Sequence, residues 1–233
     1  MVDGKNRYME KLNILYEDNH IIVVVKPVNI PSQGDKTGDI DMLTIIKEYI
    51  KEKYNKPGEV YLGLVHRLDR PTGGVMVFAK TSKAASRLSE QVRDKKMHKK
   101  YLCIVDGKME NSFGTMKDYL LKNEKTNTSK VVKEKSKNAK EAILDYEVIK
   151  YNEEINMSVV KVDLHTGRHH QIRVQFASRG HSLSGDQKYG TRGRGKQLAL
   201  WAYSLSFEHP TKKEKMEFES YPEITGSWKI LEN

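Results

Sequence analysis

Apolar residues along this chain fall mostly in short alternating or continuous runs, the pattern of strands. Ile14 to Val25 reads as strand, turn and strand, with Glu17-Asp18-Asn19-His20 at the turn and Ile21 to Val25 buried on both faces. Lys26-Pro27 ends the second strand, because proline donates nothing to a ladder. Val60 to Val65, Val75 to Ala79, Tyr101 to Val105 and Leu198 to Phe207 read as further strands. Leu144, Tyr146 and Val148 alternate with polar neighbours, Asn152-Glu153-Glu154 turns the chain, and Val160, Val162 and Leu164 alternate back.

Helical spacing is rarer. Asp41 is placed to cap a helix running to about Tyr54, with Leu43, Ile46, Ile50 and Tyr54 inward, and Ser32 to Asp39 before it reads as loop. Ser82 can cap a second through about Arg93, on a stripe of Ala84, Ala85, Leu88 and Val92. Thr166-Gly167 opens a short third, with Ile172, Phe176 and Ala177 inward and Gly180 at its end. Many hairpin-like strands and three helices without regular βαβ alternation predict an α+β fold with a mixed, largely antiparallel sheet and flanking helices. No repeat or sharp linker divides the chain, so the expectation is a loose arm over 1–11 and a single domain over 12–233.

Composition adds an anionic partner. The 233 residues carry 41 Lys and Arg against 31 Asp and Glu, a net charge of +10 spread along the chain, and nucleic acid is the commonest such partner. Lys122 to Lys140 holds seven lysines, two glutamates and almost no apolar residue, which predicts a mobile excursion, either an RNA-facing arm or a solvated loop. Cys103 is the only cysteine, excluding an internal disulfide and a Cys-based zinc finger, and its apolar setting predicts an inert buried thiol. No apolar run approaches membrane-spanning length and the first residues lack an export core, so a cytoplasmic location is expected.

Chemistry concentrates at His66-Arg67-Leu68-Asp69-Arg70-Pro71-Thr72-Gly73-Gly74. Asp69 sits between two arginines on a Gly-rich turn between apolar runs, a mounting that suits a nucleophile or base as well as a turn-capping acid. Gly74 to Thr81 looks superficially like a phosphate loop, but its interior is strand-like and lacks the wrapping glycines. His165, His169 and His170 cluster without a carboxylate or cysteine at ligand spacing and with Arg168 and Arg173 beside them, which argues against zinc. Arg173, next to Ile172 on a helix, is expected to face away from the core stripe. A fold bringing Arg173 to Asp69 would orient that carboxylate and keep it ionised.

These residues in this order resemble the RluA-type RNA pseudouridine synthases. The marker His-Arg-Leu-Asp-x-x-Thr-x-Gly is His66 to Gly74, preceded by an early Lys-Pro at Lys26-Pro27. Lys99-Lys100-Tyr101-Leu102 through Val105-Asp106-Gly107, Thr166-Gly167-Arg168-His169-His170-Gln171-Ile172-Arg173, Gly185-Asp186-Gln187-Lys188-Tyr189-Gly190 and Leu198-Ala199-Leu200 follow in family order. The resemblance runs from about Leu12 to about Pro210. Pro71, Gly73, Val25 and Trp201 depart from residues usual at their positions, and none of them is Asp69, Tyr101 or Arg173.

The resemblance implies a pseudouridine synthase catalytic fold with a central RNA-binding cleft; the few residues before Leu12 leave no room for the small RNA-binding domain of many relatives, so no separate N-terminal one is expected. The implied enzyme isomerises uridines in ribosomal or transfer RNA, breaking N1–C1′ and forming C5–C1′, with neither metal nor other cofactor; a monomer is expected because nothing in the sequence demands an oligomer. Asp69 would be the essential carboxylate, acting at the uracil ring or at the sugar. Tyr101 would stack on the base and help remove the C5 proton, Arg173 would pair with Asp69, and Arg67 would fill the space of the flipped uridine. His66, Arg70, Lys26, Arg168, His169 and Gln171 would contact RNA, in a loop or single strand. A non-catalytic RNA-binding or folding module of the same fold is the alternative. An RNA methyltransferase is excluded for want of a nucleophilic cysteine and a cofactor loop.

Overall fold

The β-branched runs do form strands. In a computed structural model, which describes residues 12–190 and 197–232, eleven strands, three α-helices and one 3₁₀ turn follow one another. The predicted arm over 1–11 lies outside the described residues. The chain divides into two compact units, one from the residues up to Met97 together with Ser204–Ser220, the other from His98–Tyr203 together with the segment from Tyr221.

In the first unit, β1 (Asn13–Glu17) and β2 (Ile21–Lys26) form the predicted hairpin, and β2 pairs antiparallel with β4 (Gly73–Ala79). Both β2 and β4 are buried along their whole length, as their unbroken apolar runs require. The Val60 to Val65 run contributes only β3 (Gly63–Leu64) on β4; the rest is irregular, although Val60 and Leu62 are buried. Burial here comes from packing, without the backbone pairing that alternation suggests.

Helix α1 (Met42–Lys53) is capped by Asp41, whose carboxylate accepts the amides of Leu43 and Thr44, and Tyr54 closes it. Its buried stripe is Met42, Ile45, Ile46 and Ile50; Leu43 is half-buried and Tyr54 exposed. Helix α2 (Ser82–Arg93) is capped by Thr81, one residue earlier than expected. Ala84 and Leu88 join Ile21, Val23, Val75, Val77, Leu205 and Phe207 in this unit's core.

The second unit is a meander. β5 (His98–Asp106) pairs with β9 (Met157–Leu164), β9 with β8 (Lys140–Asn152), β8 with β6 (Phe113–Asn123), and β6 with β7 (Thr128–Val132), all antiparallel. A core of Leu102, Ile104, Val159, Tyr203, Trp228 and Ile230 lies in this unit. Cys103 on β5 is fully buried, and burial pushes its thiol well above the ordinary range, as its apolar setting predicts.

The lysine-rich stretch is ordered, contrary to expectation. Asn123 accepts amides of Lys125 and Thr126, Asn127 takes a left-handed conformation (φ 49°), and β7 returns along β6. Pairing uses only the main chain, so a strand with few apolar residues can form while its lysines stay in water. Helix α3 (Gln171–Ala177) also departs from the reading: residues 171–176 are all buried and Ala177 is half-buried. Arg173 therefore does not face solvent. β10 (Leu200–Glu208) contributes its start to the second unit and its end to the first, where β11 (Lys215–Glu219) pairs with it.

Candidate active site

Asp69 stands on a turn held through its main chain. The Asp69 carbonyl accepts the Thr72 amide at 2.9 Å, closing the turn over Arg70 and Pro71. The Arg70 carbonyl takes the Asn29 amide at 2.8 Å and the Lys26 ammonium at 3.1 Å. Ser32 donates its hydroxyl to the Leu68 carbonyl at 2.8 Å and accepts the Leu68 amide at 3.2 Å. His66 accepts the Val77 amide through Nε2 at 3.1 Å, so its other nitrogen carries the proton. Gly74, opposite Lys26 in the ladder, has φ 124°, where a side chain would be strained.

Around this turn, His66 and Leu68 are buried, Arg67 and Arg70 exposed, and Asp69 half-exposed. Arg70 pairs with Asp39, with Thr37 and Asp35 alongside. Lys26 is 0% exposed, and its ammonium also reaches the Pro27 and Ile30 carbonyls at 2.9 and 2.6 Å. Burial pushes its pKa down to about 7, Asp69 pulls it up and Arg70 pushes it further down. A fully buried ammonium cannot meet an RNA phosphate, so the expected RNA contact at Lys26 is corrected to a brace for the turn. His66, buried and bonded to β4, is corrected the same way.

Tyr101 and Arg173 both belong to the second unit. Tyr101, on β5 opposite Val162, is 7% exposed. Lys99, two residues away and so on the same face of β5, is also held mainly out of water, and burial lowers its pKa. Arg173 and Asp186 are 4% and 0% exposed and meet in a two-pronged ion pair, Nε to Oδ2 and Nη2 to Oδ1, both 2.8 Å. Burial alone would raise the Asp186 pKa, but Arg173 and the amides of Lys188 and Tyr189 outweigh it and hold it below the usual carboxylate value.

The helix start has its own scaffold. Gln171, 3% exposed, accepts from Thr166 at 2.8 Å and from the Arg168 amide at 3.0 Å, and donates to the Ile143 carbonyl at 3.1 Å. It folds the Thr-Gly-Arg loop and is not an RNA-facing group, which corrects its expected role. Arg168 is exposed and donates to the Glu141 carbonyl at 2.7 Å. The three histidines take three different partners: His165 pairs with Asp145 at 2.6 Å, His169 with Ser129 at 2.9 Å and His170 with Tyr189 at 2.8 Å.

A family model described as RNA pseudouridylate synthase matches residues 20–178, which contain Asp69, Tyr101 and Arg173. The chain belongs to the RNA pseudouridylate synthase family. An Aquifex aeolicus protein named uncharacterized RNA pseudouridine synthase is 37% identical over 221 residues, 89% of this chain and 68% of that one. A Haemophilus influenzae protein named ribosomal large subunit pseudouridine synthase C is 33% identical over 215 residues, 89% of this chain and 64% of that one. The solved structure of human RNA pseudouridylate synthase domain containing 4 has the same fold, with a TM-score of 0.81 at 24% identity over 96% of this chain and 95% of that one.

The RluA-type resemblance, the α+β pseudouridine synthase fold and the isomerase activity all stand with these matches. Asp186 and Tyr189 belong to a motif of the sequence in which neither has an expected role. Their signal was present, a Gly-Asp-x-x-Tyr-Gly run whose glycines have a physical reason. At Gly185 (φ 76°) an added Cβ would meet the Gln197 carbonyl oxygen at 2.3 Å, and at Gly190 the Asp186 carbonyl oxygen at 2.5 Å. The loop that presents Asp186 closes only with glycine at both ends.

Proposed function

We propose that this pseudouridine synthase modifies specific uridines of ribosomal or transfer RNA in the cytoplasm, as a monomer, with Asp69 as its essential carboxylate. The family match together with the braced, half-exposed Asp69 turn carries this reading. The net charge of +10 suits an RNA substrate, and the Haemophilus influenzae relative is named for the large ribosomal subunit. No helix among the described residues is long and apolar enough to cross a membrane.

The uridine leaves its stack so that its base can be reached, at a cost of a few kcal/mol, roughly. Arg67, exposed two residues before Asp69, fills the vacated space, and Arg70, Arg168 and His169 contact the backbone. Asp69 acts at the uracil ring or the sugar while the N1–C1′ bond breaks. C5 then bonds to C1′, Tyr101 assists loss of the C5 proton, and N1 gains one, so no atom is lost overall. Arg173 supplies a positive charge to the reaction. The roles of Tyr101 and Arg173 rest on the order of the motifs.

Loss of the C5 proton supplies the test. RNA labelled with uridine tritiated at C5 releases tritium on each turnover. Asp69→Asn, which preserves shape, should abolish release while folding and RNA binding persist. Undiminished release by that variant would overturn the assignment.

A further inference from the structure

We propose that Tyr189 is a positioning residue for the isomerisation: its ring supports the Arg173 guanidinium, and its hydroxyl ties the lysine-rich β6–β7 hairpin to the helix carrying Arg173. This rests on the reading of Arg173 as a group that serves the reaction.

The ring comes first. The Arg173 guanidinium carbon lies 5.2 Å from the Tyr189 ring centroid. Asp186 holds the same guanidinium in its plane through Nε and Nη2, and its Oδ1 also accepts the amides of Lys188 and Tyr189 at 2.9 and 3.1 Å. One carboxylate therefore orients the arginine edge and the backbone that presents the tyrosine. The ring restrains the out-of-plane direction that a carboxylate leaves soft, and a cation over an aromatic face gains most where water is excluded. Tyr189 itself packs against Leu120, Ala142 and Val174, so the support is rigid.

The hydroxyl has a separate task. It accepts the Ser129 amide at 2.7 Å and shares a second hydrogen bond with His170 Nδ1 at 2.8 Å. His170 is a left-handed residue (φ 54°) immediately before Gln171, a conformation costing a non-glycine roughly 1 kcal/mol that the hydroxyl bond helps to hold. Ser129 is the one buried residue of β7 and spends its amide on Tyr189. Lys188 adds a second tie to the hairpin through the Asn127 carbonyl at 2.8 Å. All seven lysines of 122–140 are exposed, the disposition that phosphate binding needs. A single side chain thus joins an RNA-facing surface to the seat of a reacting-site arginine.

The two ends can be cut independently, using the full chain and bulk RNA labelled with C5-tritiated uridine in cells lacking the gene. Tyr189→Phe keeps the ring and loses both hydroxyl bonds. It should raise KM roughly three- to tenfold and flatten its salt dependence, with kcat within about twofold. Tyr189→Leu also removes the ring and should lower kcat by about tenfold or more. With Ser129→Ala as the control for loss of the hydroxyl bond to His169, Ser129→Pro deletes the same amide donor without touching the ring, at an edge strand where proline is tolerated. It should reproduce the KM change of Tyr189→Phe, and combining the two should add little.

Equal kinetic constants in Tyr189→Phe and Tyr189→Leu, or a lowered melting midpoint with both constants at wild-type values, would overturn the inference. Arg173→Ala separates it from the reading beneath it. Wild-type turnover by Arg173→Ala removes both. Lost turnover in Arg173→Ala beside wild-type turnover in Tyr189→Leu removes the inference alone.

Discussion

The Asp69 turn is fixed through its main chain, whereas the Arg173 guanidinium is fixed through its side chain. In the first case Lys26, Asn29 and Ser32 bind the carbonyls and amide of Leu68 and Arg70, so the frame holds the backbone that presents the carboxylate. In the second, Asp186 and Tyr189 act directly on the charged atoms. The difference suits the two functional groups. A short carboxylate has two torsions, so a rigid backbone nearly determines where its oxygens lie. Arginine has a long stem, and only contacts at its end remove that freedom.

The comparison breaks most visibly at Asp186. Asp186→Ala leaves a buried guanidinium without its carboxylate and should destabilise the protein by about 3–5 kcal/mol, read by urea denaturation. A loss well below that range would show that Arg173 is held mainly by other groups. The pH dependence has a definite sign. Asp186 is depressed in the folded state, so its contribution is present above the unfolded aspartate value near 3.8 and is lost as pH falls through the lower folded value. The variant should lack that part of the acid unfolding curve.

Lys26→Met tests the other side. It removes an ammonium donor from the Pro27, Ile30 and Arg70 carbonyls and should cost roughly 2–4 kcal/mol, with a fall in kcat as the turn loosens. Its KM should keep its wild-type salt dependence. A salt slope lowered by about one would instead restore Lys26 as a phosphate contact.

Arg70→Ala marks the small end of the range. The side chain is exposed and its acidic neighbours are solvated, so thermal stability should hardly move. An effect confined to KM would fit the proposed backbone contact, and a large drop in melting temperature would show the pair to be structural.

Much of the scaffold was legible along the chain. The hairpin of β1 and β2, the Asp41 cap and the alternating strands β8 and β9 follow from local patterns. Val60 to Val65 misled because apolar residues can be buried without pairing, and only Gly63–Leu64 joins a ladder. Lys122 to Lys140 misled in the opposite way: composition measures apolar burial, and β7 is held by main-chain bonds and by Tyr189. At the site, motif order singled out Asp69, Tyr101 and Arg173, but side-chain chemistry alone could not distinguish an RNA-facing lysine from a buried brace. Lys26 and Gln171 are the cases in point, because both offer donors that either role would use.

By itself the sequence determined the strand-rich α+β class, the basic character and the motifs that mark a pseudouridine synthase, since these depend on residue identity and short-range order. Only the tertiary structure decided which polar groups are buried and what each one holds. Asp186 lies 13 residues from Arg173, and Tyr189 lies 60 from Ser129. Distances along the chain carry no information about such pairs until packing brings them together and removes the water that would otherwise compete for them.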